Sequence, residues 1–140
     1  MSQEPDAVAL IDTSVLVRYL MDDAPAFSEQ VRRLLDGGPE LTLTEGTIAE
    51  TAYVLTSVYG VPRADVVSAL VALLRRRSIR VHGLDKDAVI QGLLLCAPSA
   101  RVSFADAMLW AAARSAGAAA RVYTLDARFP ASGIDVRRTW

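Results

Sequence analysis

The sequence predicts an α/β domain with a mostly parallel central sheet. Short apolar runs of strand length alternate with longer segments whose apolar residues recur at helical spacing. The first run, residues 7–11, contains no polar residue, as is typical of a parallel strand that helices cover on both faces. With 140 residues and neither a linker-like stretch nor an internal repeat, the chain is predicted to form a single domain over 1–140.

The first half of the chain contains two predicted strands and three predicted helices. Each helix begins at a residue suited to a helix N-terminus, and glycines follow the second and third helices and end them. The N-terminal residues are Asp12 or Thr13, Pro25 and Thr44. The predicted strands are 7–11 and 41–43, and the predicted helices are 13–20, 25–35 and 44–59.

The second half of the chain contains three more helices and three more strands. Pro62 begins the fourth helix, and the arginines at 75–77 are expected to form its solvated end. Ser103 caps a strongly apolar helix that ends near Gly117. The predicted helices are 62–74, 86–95 and 103–115, and the predicted strands are 79–81, 121–125 and an edge strand at 135–137.

Composition and charge exclude several classes of protein. A net charge of −1 argues against sequence-blind coating of nucleic acid. Cys96 and His82 are the only residues of their types, so the chain forms neither an internal disulfide nor a His/Cys zinc site. No apolar stretch approaches the roughly 18–20 residues of a membrane span, and the first residues lack a signal core. We therefore expect a cytoplasmic protein without a membrane segment.

Four acidic residues are candidate site residues because of where they fall. Asp12 and Asp126 follow the carboxyl ends of predicted central strands, where ligand sites form in open α/β sheets. Glu50 lies opposite the apolar stripe of its helix, and Asp106 lies in the first turn of an apolar helix. Each also has a local explanation, namely a helix cap for Asp12, a capping box for Asp106, a solvated position for Glu50 and a turn for Asp126.

Taken together, these carboxylates predict a cation site. Carboxylates that converge without a balancing lysine or histidine repel one another by several kcal/mol, and a divalent cation relieves that repulsion. Oxygen ligands without His or Cys favour Mg²⁺ or Mn²⁺ over zinc. Sites of this kind process phosphate esters.

Other chemistries of acidic sites fit the sequence less well. A phosphatase of the haloacid dehalogenase type needs a second Asp two residues after the first, where this chain has Ser14. Lys86, the single lysine, precedes a helix and does not follow a late strand as in a receiver domain. His82 lies near no Gly-x-Ser-x-Gly elbow and is predicted to be a turn or surface residue. Glycine-rich phosphate-binding motifs are absent.

Five short segments contain the four carboxylates and their neighbours in a specific order. They are LIDTSVLV at 10–17, TIAETAYVL at 47–55, YGV at 59–61, SFADAML at 103–109 and YTLDARF at 123–129. This ordered set resembles PIN-domain nucleases, and closely the VapC-type toxins of bacterial type II toxin–antitoxin modules. The resemblance covers nearly all of residues 7–135.

The resemblance implies a parallel sheet of order 3-2-1-4-5, flanked by helices on both faces, with Asp12 and Asp126 at the topological switch point. It also implies an endoribonuclease that depends on Mg²⁺ or Mn²⁺. The implied metal ligands and catalytic residues are Asp12, Glu50, Asp106 and Asp126. The implied orienting hydroxyls are Thr13, Ser14 or Thr124.

The resemblance further implies an RNA substrate, a homodimer and a cognate antitoxin that blocks the acidic cleft. An acidic cleft that admits RNA needs positive charge at its rim, and four arginines lie near the motifs. They are Arg18, Arg101, Arg114 and Arg128. Two other functions stay open, namely a non-catalytic PIN-fold module that binds RNA or protein and a metal-dependent phosphatase of small molecules.

Overall fold

The computed structural model describes residues 8–22 and 25–140, which form six helices and four short strands. The α/β class and the order of these elements are as the sequence predicts. In chain order they are α1 (Thr13–Met21), α2 (Pro25–Asp36), β1 (Leu41–Leu43), α3 (Glu45–Ser57), α4 (Arg63–Leu74), β2 (Ile79–Val81), α5 (Lys86–Cys96), α6 (Phe104–Ala116), β3 (Arg121–Tyr123) and β4 (Asp135–Arg137).

The strands pair in parallel. β1 pairs with β2, with Leu41 opposite Ile79, and β3 pairs with β4. Leu10 forms a single parallel bridge to Thr42 of β1, so the segment that precedes α1 lies beside β1. These pairs agree with the neighbours 3-2, 2-1 and 4-5 of the expected order. No pairing joins the segment at Leu10 to β3 within the described residues, so one five-stranded sheet is not shown.

The apolar run at 7–11 differs from its prediction. Residue 7 lies outside the described residues, and the rest of the run contributes only the bridge at Leu10. The side chains of Val8 and Leu10 are 65% and 61% exposed, so the predicted burial of both faces is wrong for them. An apolar run indicates that a segment can form a buried strand, but its burial depends on contacts with segments that are distant in the sequence.

The helix starts that the sequence predicts from capping residues are confirmed. Asp12, Thr44 and Ser103 each accept a hydrogen bond from a backbone N–H two or three residues further along the chain. A side-chain cap of this kind stabilises a helix by about 1 kcal/mol. The caps therefore fix the starts of α1, α3 and α6, which are the helices that carry the candidate site residues.

The core is a cluster of buried apolar side chains, mostly aliphatic, to which all six helices contribute. Leu73 and Leu74 at the end of α4 are 2% and 0% exposed, so this apolar stretch belongs to the core. His82 is exposed in the turn after β2, as predicted. In the described part of the chain, no helix has the length and apolar character needed to cross a membrane.

Helices α5 and α6 are in close contact at Gly92. A Cβ atom placed on Gly92 would lie 2.8 Å from the backbone carbonyl oxygen of Ala107, closer than real Cβ contacts allow. A backbone carbonyl cannot rotate away as a side chain can. The glycine is therefore required by the packing of α6, the helix that carries Asp106.

We expect Gly92→Ala to destabilise the fold by about 1–3 kcal/mol, because overpacking outweighs the higher helix propensity of alanine. Urea unfolding measures this. Gly46→Ala on α3 is the matched control, since its Cβ would meet no atom closer than 3.9 Å and should leave stability unchanged or raise it. Equal stability of the two variants would contradict the close packing.

A polar network joins the ends of three helices. Tyr19 of α1 donates a hydrogen bond of 2.5 Å to the carboxylate of Asp36 at the end of α2. Arg76, just after α4, donates to the same carboxylate at 2.9 Å and to the Tyr19 hydroxyl at 2.8 Å. Arg76 remains exposed at the end of α4, as the sequence predicts, and its side chain also binds α1 and α2, which the sequence does not predict. The hydrogen bonds from Tyr19 and Arg76 lower the pKa of Asp36 below the usual value of 3.8.

Because the pKa of Asp36 is lower in the folded state, its contribution to stability is present at neutral pH and is lost as the pH falls below about 3.8. We expect Asp36→Asn to melt at a lower temperature than the parent at pH 7, and the difference to shrink as acid is added. Melting temperatures of both chains across this pH range test the network. Asp87→Asn, at an exposed position in the first turn of α5, loses only an interaction with the helix dipole, so its melting temperature should stay closer to that of the parent than the melting temperature of Asp36→Asn does.

Candidate active site

Asp12 lies at the N-terminus of α1, just after the segment that bridges to β1. The hydroxyl and backbone N–H of Ser14 donate to its Oδ2 atom at 2.6 and 3.3 Å. These hydrogen bonds lower the pKa of Asp12 below its usual value of 3.8, so the exposed carboxylate is ionised at neutral pH. The positive end of the α1 dipole also favours the anion. Asp12 is therefore both a helix cap and a fixed negative charge.

Glu50 is held beside Asp12 by a hydrogen bond between α1 and α3. The hydroxyl of Thr13, which is only 8% exposed, donates to Oε2 of Glu50 at 3.0 Å. Thr13 directly follows Asp12, so this bond brings two acidic residues 38 positions apart to one place. Thr13 is one of the three orienting hydroxyls that the family resemblance implies, and Glu50 is the residue to which its hydroxyl donates.

Asp12 and Glu50 line one cleft between α1 and α3, with a volume of about 340 Å³. We refer to it as the acidic cleft. Its other lining residues are Thr13, Ser14, Val17, Arg18, Val54 and Tyr59. The structure thus brings together two of the four predicted carboxylates, two of the three predicted hydroxyls and one of the four predicted arginines.

A second cleft, of about 440 Å³, lies between α3 and the start of α6. Glu50 also lines this α3–α6 cleft, so its side chain forms a wall between the two. The other lining residues include Tyr53, Arg63, Ser103, Phe104 and Ala105. Asp106 follows them directly, which places its backbone at the edge of this cleft.

Asp106 occupies the first turn of α6, where its backbone N–H donates to the Ser103 hydroxyl at 3.0 Å. This hydrogen bond is the one that a capping box makes, which is the local explanation that the sequence offers for Asp106. Its half-buried side chain lines neither cleft. In residues 8–22 and 25–140, no three or more His, Cys, Asp or Glu side chains form a group that could hold a metal ion.

Asp126 and Thr124 lie in the turn that follows β3. The Asp126 N–H donates to the Thr124 hydroxyl at 3.0 Å, and the Arg128 N–H donates to the Asp126 carboxylate at 2.8 Å. The Arg128 guanidinium lies 4.0 Å from the same carboxylate. The contacts of Asp126 are those of a turn-forming residue, and it lines neither cleft.

The four predicted RNA-binding arginines lie in different places. Arg18 lines the acidic cleft and lies over the ring of Phe27, 5.4 Å from its centroid. Arg101 is exposed in the loop before α6. Arg114 donates to the carbonyl of Gly133 near the end of α6, roughly 12 Å along the helix axis from Asp106. Arg128 contacts Asp126 in the turn after β3.

Arg63 was not singled out in the sequence, yet it organises the wall of the α3–α6 cleft. Its Nε atom donates to the carbonyl of Cys96 at 2.7 Å, and its Nη2 atom donates to the carbonyl of Val102. The guanidinium also lies 4.2 Å from the ring centroid of Phe104. These contacts tie α4 to the loop before α6. Nothing local to the position of Arg63 signals them, since the partners are 33 or more residues away.

The donors in the acidic cleft fit a hard divalent cation. Two carboxylates and two hydroxyls supply oxygen atoms, and no lysine or histidine is among the lining residues. Mg²⁺ is commonly held by one or two carboxylates, with water and substrate phosphate completing its shell. Asp12 and Glu50 therefore supply the kind of oxygen ligand that Mg²⁺ and Mn²⁺ take, and no histidine or cysteine lines the cleft to favour zinc.

Comparison with known proteins gives one match. The model of the PIN domain family matches residues 9–133, which is most of the chain and includes all four predicted carboxylates. No curated protein and no solved structure matches the chain.

Proposed function

This chain belongs to the PIN domain family, and on that basis we propose that it is a metal-dependent endoribonuclease. PIN domains are generally nuclease folds, and the proposal narrows this to hydrolysis of RNA phosphodiester bonds with Mg²⁺ or Mn²⁺. The observation that carries the proposal is the acidic cleft, in which Asp12 and Glu50 converge through the Thr13 hydrogen bond.

Asp12 and Glu50 would hold the cation in the acidic cleft. A bound divalent cation lowers the pKa of water and neutralises charge on a scissile phosphate. Ser14 keeps the Asp12 carboxylate ionised and oriented, since its hydroxyl and N–H both bind Oδ2. Thr13 keeps Glu50 facing the cleft, where this carboxylate would help to hold the cation or position the attacking water. Arg18 contributes positive charge for the RNA backbone. The products are expected to carry 3′-hydroxyl and 5′-phosphate ends.

Asp106 and Asp126 are proposed to complete the acidic set. Asp106 follows the residues of α6 that line the α3–α6 cleft, and Glu50 forms the other side of that cleft. Asp126 follows β3, as Asp12 follows the segment at Leu10. Pairing of those two segments, as in the sheet order 3-2-1-4-5, would place both carboxylates at the same edge of one sheet.

Within the family, we propose that the chain is the VapC-type toxin of a bacterial toxin–antitoxin module. The ordered segments at 10–17, 47–55, 59–61, 103–109 and 123–129 support this assignment. It entails a homodimer, a cytoplasmic location and an antitoxin that blocks the acidic cleft. Arg101, Arg114 and Arg128 remain proposed RNA contacts, as do Thr13, Ser14 and Thr124 as orienting hydroxyls.

A non-catalytic PIN-fold module that binds RNA or protein is the alternative function. The separation of Asp106 and Asp126 from the acidic cleft favours it, because the described residues hold no group of three metal-binding side chains. The two functions differ in one measurable respect, which is turnover of an RNA oligomer in the presence of Mg²⁺ or Mn²⁺.

We expect Asp12→Asn to lower the rate of RNA cleavage by roughly 10²- to 10³-fold, because it removes a negative charge from the cation site while keeping the shape of the side chain. Cleavage of a labelled RNA oligomer under single-turnover conditions measures the change. The amide still accepts the cap hydrogen bonds, so the variant should remain folded by circular dichroism.

Asp65→Asn is the matched control for this experiment. Asp65 is exposed in the first turn of α4 and lines neither cleft, so its variant should cleave like the parent. Cleavage by Asp12→Asn at the parental rate would refute the nuclease site. Absence of cleavage by the parent with either cation would favour the binding module.

A further inference from the structure

Two exposed tyrosines flank Glu50, one in each cleft. Tyr53 lines the α3–α6 cleft and is 63% exposed, whereas Tyr59 lines the acidic cleft and is 43% exposed. Because Glu50 lines both clefts, the two tyrosines lie in neighbouring clefts that share this residue. The arrangement follows from α3, in which Ala49 and Tyr53 line one cleft, Val54 lines the other and Glu50 lines both.

The two rings have no evident structural role. A tyrosine ring normally buries a large apolar area, and its hydroxyl usually finds a partner when it is covered. Neither side chain makes a hydrogen bond or ring contact with another residue in the described part of the chain. Tyr19, in contrast, uses its hydroxyl and its ring to bind Asp36 and Arg76. The faces of Tyr53 and Tyr59 are therefore available to a ligand.

Each cleft also contains one arginine beside its tyrosine. Arg63 lines the α3–α6 cleft and Arg18 lines the acidic cleft. Arg63 uses two of its five N–H groups for the carbonyls of Cys96 and Val102 and so is fixed in place. An aromatic face beside a guanidinium is the combination that binds nucleotides of an unpaired strand, by stacking the base and attracting the phosphate. Both clefts have volumes in the range of small-ligand sites, which is roughly 300–1,000 Å³.

We propose that Tyr53 and Tyr59 stack nucleobases of the RNA substrate in the two clefts that adjoin Glu50. This inference rests on the proposed nuclease function, because the cation proposed at Glu50 would hold a phosphate between the two stacked bases. In an A-form duplex the bases are stacked and paired, and the rings of the two clefts have no exposed base face to contact. Loops and unpaired segments present such faces.

The test measures binding separately from cleavage. Each tyrosine is changed to Leu and to Phe in the Asp12→Asn chain, and the Kd for a fluorescein-labelled single-stranded RNA is measured by anisotropy in EDTA. One salt concentration is used throughout, because phosphate contacts alone make affinity depend on salt. Loss of one stacked base weakens binding by roughly five- to 150-fold, so Tyr53→Leu and Tyr59→Leu should raise Kd within that range. Both Phe variants keep a ring and should stay within about twofold of the parent.

Two controls make the result specific. Trp140→Leu removes an aromatic side chain that is 80% exposed and lines neither cleft, so it should leave Kd unchanged. A duplex of the same sequence should bind with an affinity that none of the Leu variants alters. Melting temperatures show whether the variants fold. Because both tyrosines are exposed, we expect their replacement to leave the fold intact.

Three results would overturn the inference. The first is an unchanged Kd in both Leu variants, and the second is a Kd of the Phe variants as high as that of the Leu variants. The third is a Kd for the duplex that the Leu substitutions raise as much as they raise the Kd for the single strand. Undetectable binding of single-stranded RNA also overturns it, and leaves a protein segment as the occupant of the clefts. Failure of the proposed nuclease is recognised separately, since it appears as absence of cleavage by the chain with Asp12 intact. Tight, tyrosine-dependent RNA binding without cleavage would keep the two base sites and reject the nuclease.

Discussion

The hydrogen bond from Thr13 to Glu50 is the interaction on which the acidic cleft depends. Glu50 is an exposed residue of α3 with several rotatable bonds, and without a partner its carboxylate would sample many positions. The Thr13 hydroxyl is nearly buried at the start of α1, so it offers a donor in a fixed place. The bond at 3.0 Å therefore sets Glu50 beside Asp12 and makes it the wall between two clefts.

The charges of the cleft follow from the same local geometry. Asp12 is at once the N-terminal cap of α1 and an ionised carboxylate, since the hydrogen bonds from Ser14 at the start of the helix also lower its pKa. A helix N-terminus stabilises this charge, and Glu50 adds a second one nearby without a lysine or histidine among the lining residues. Two such carboxylates together hold a hard cation better than either carboxylate does alone. The PIN domain match is consistent with this chemistry.

Local signals in the sequence predicted the helices and their caps well, because a cap such as Ser103 and its helix are within one turn of each other. The joining of Asp12 and Glu50 could be anticipated only through the resemblance to a family. What depends on distant pairing was missed or is not shown: the exposure of Val8, the binding of Arg76 to α1 and α2, and the clamp of Arg63 on the loop before α6. Convergence of Asp106 and Asp126 on the cleft is of this second kind, since it requires a strand pairing that no local pattern encodes.

The most direct test of the account is the melting temperature of the chain with and without millimolar Mg²⁺ or Mn²⁺. A cation that binds only the folded state raises the melting temperature by mass action. The account predicts a clear rise for the parent chain, and little or no rise for Glu50→Gln and for Thr13→Val, which leaves both carboxylates but removes the hydrogen bond between α1 and α3. An absent shift in the parent, or an equal shift in all three chains, would contradict the claim that Asp12 and Glu50 form one cation site.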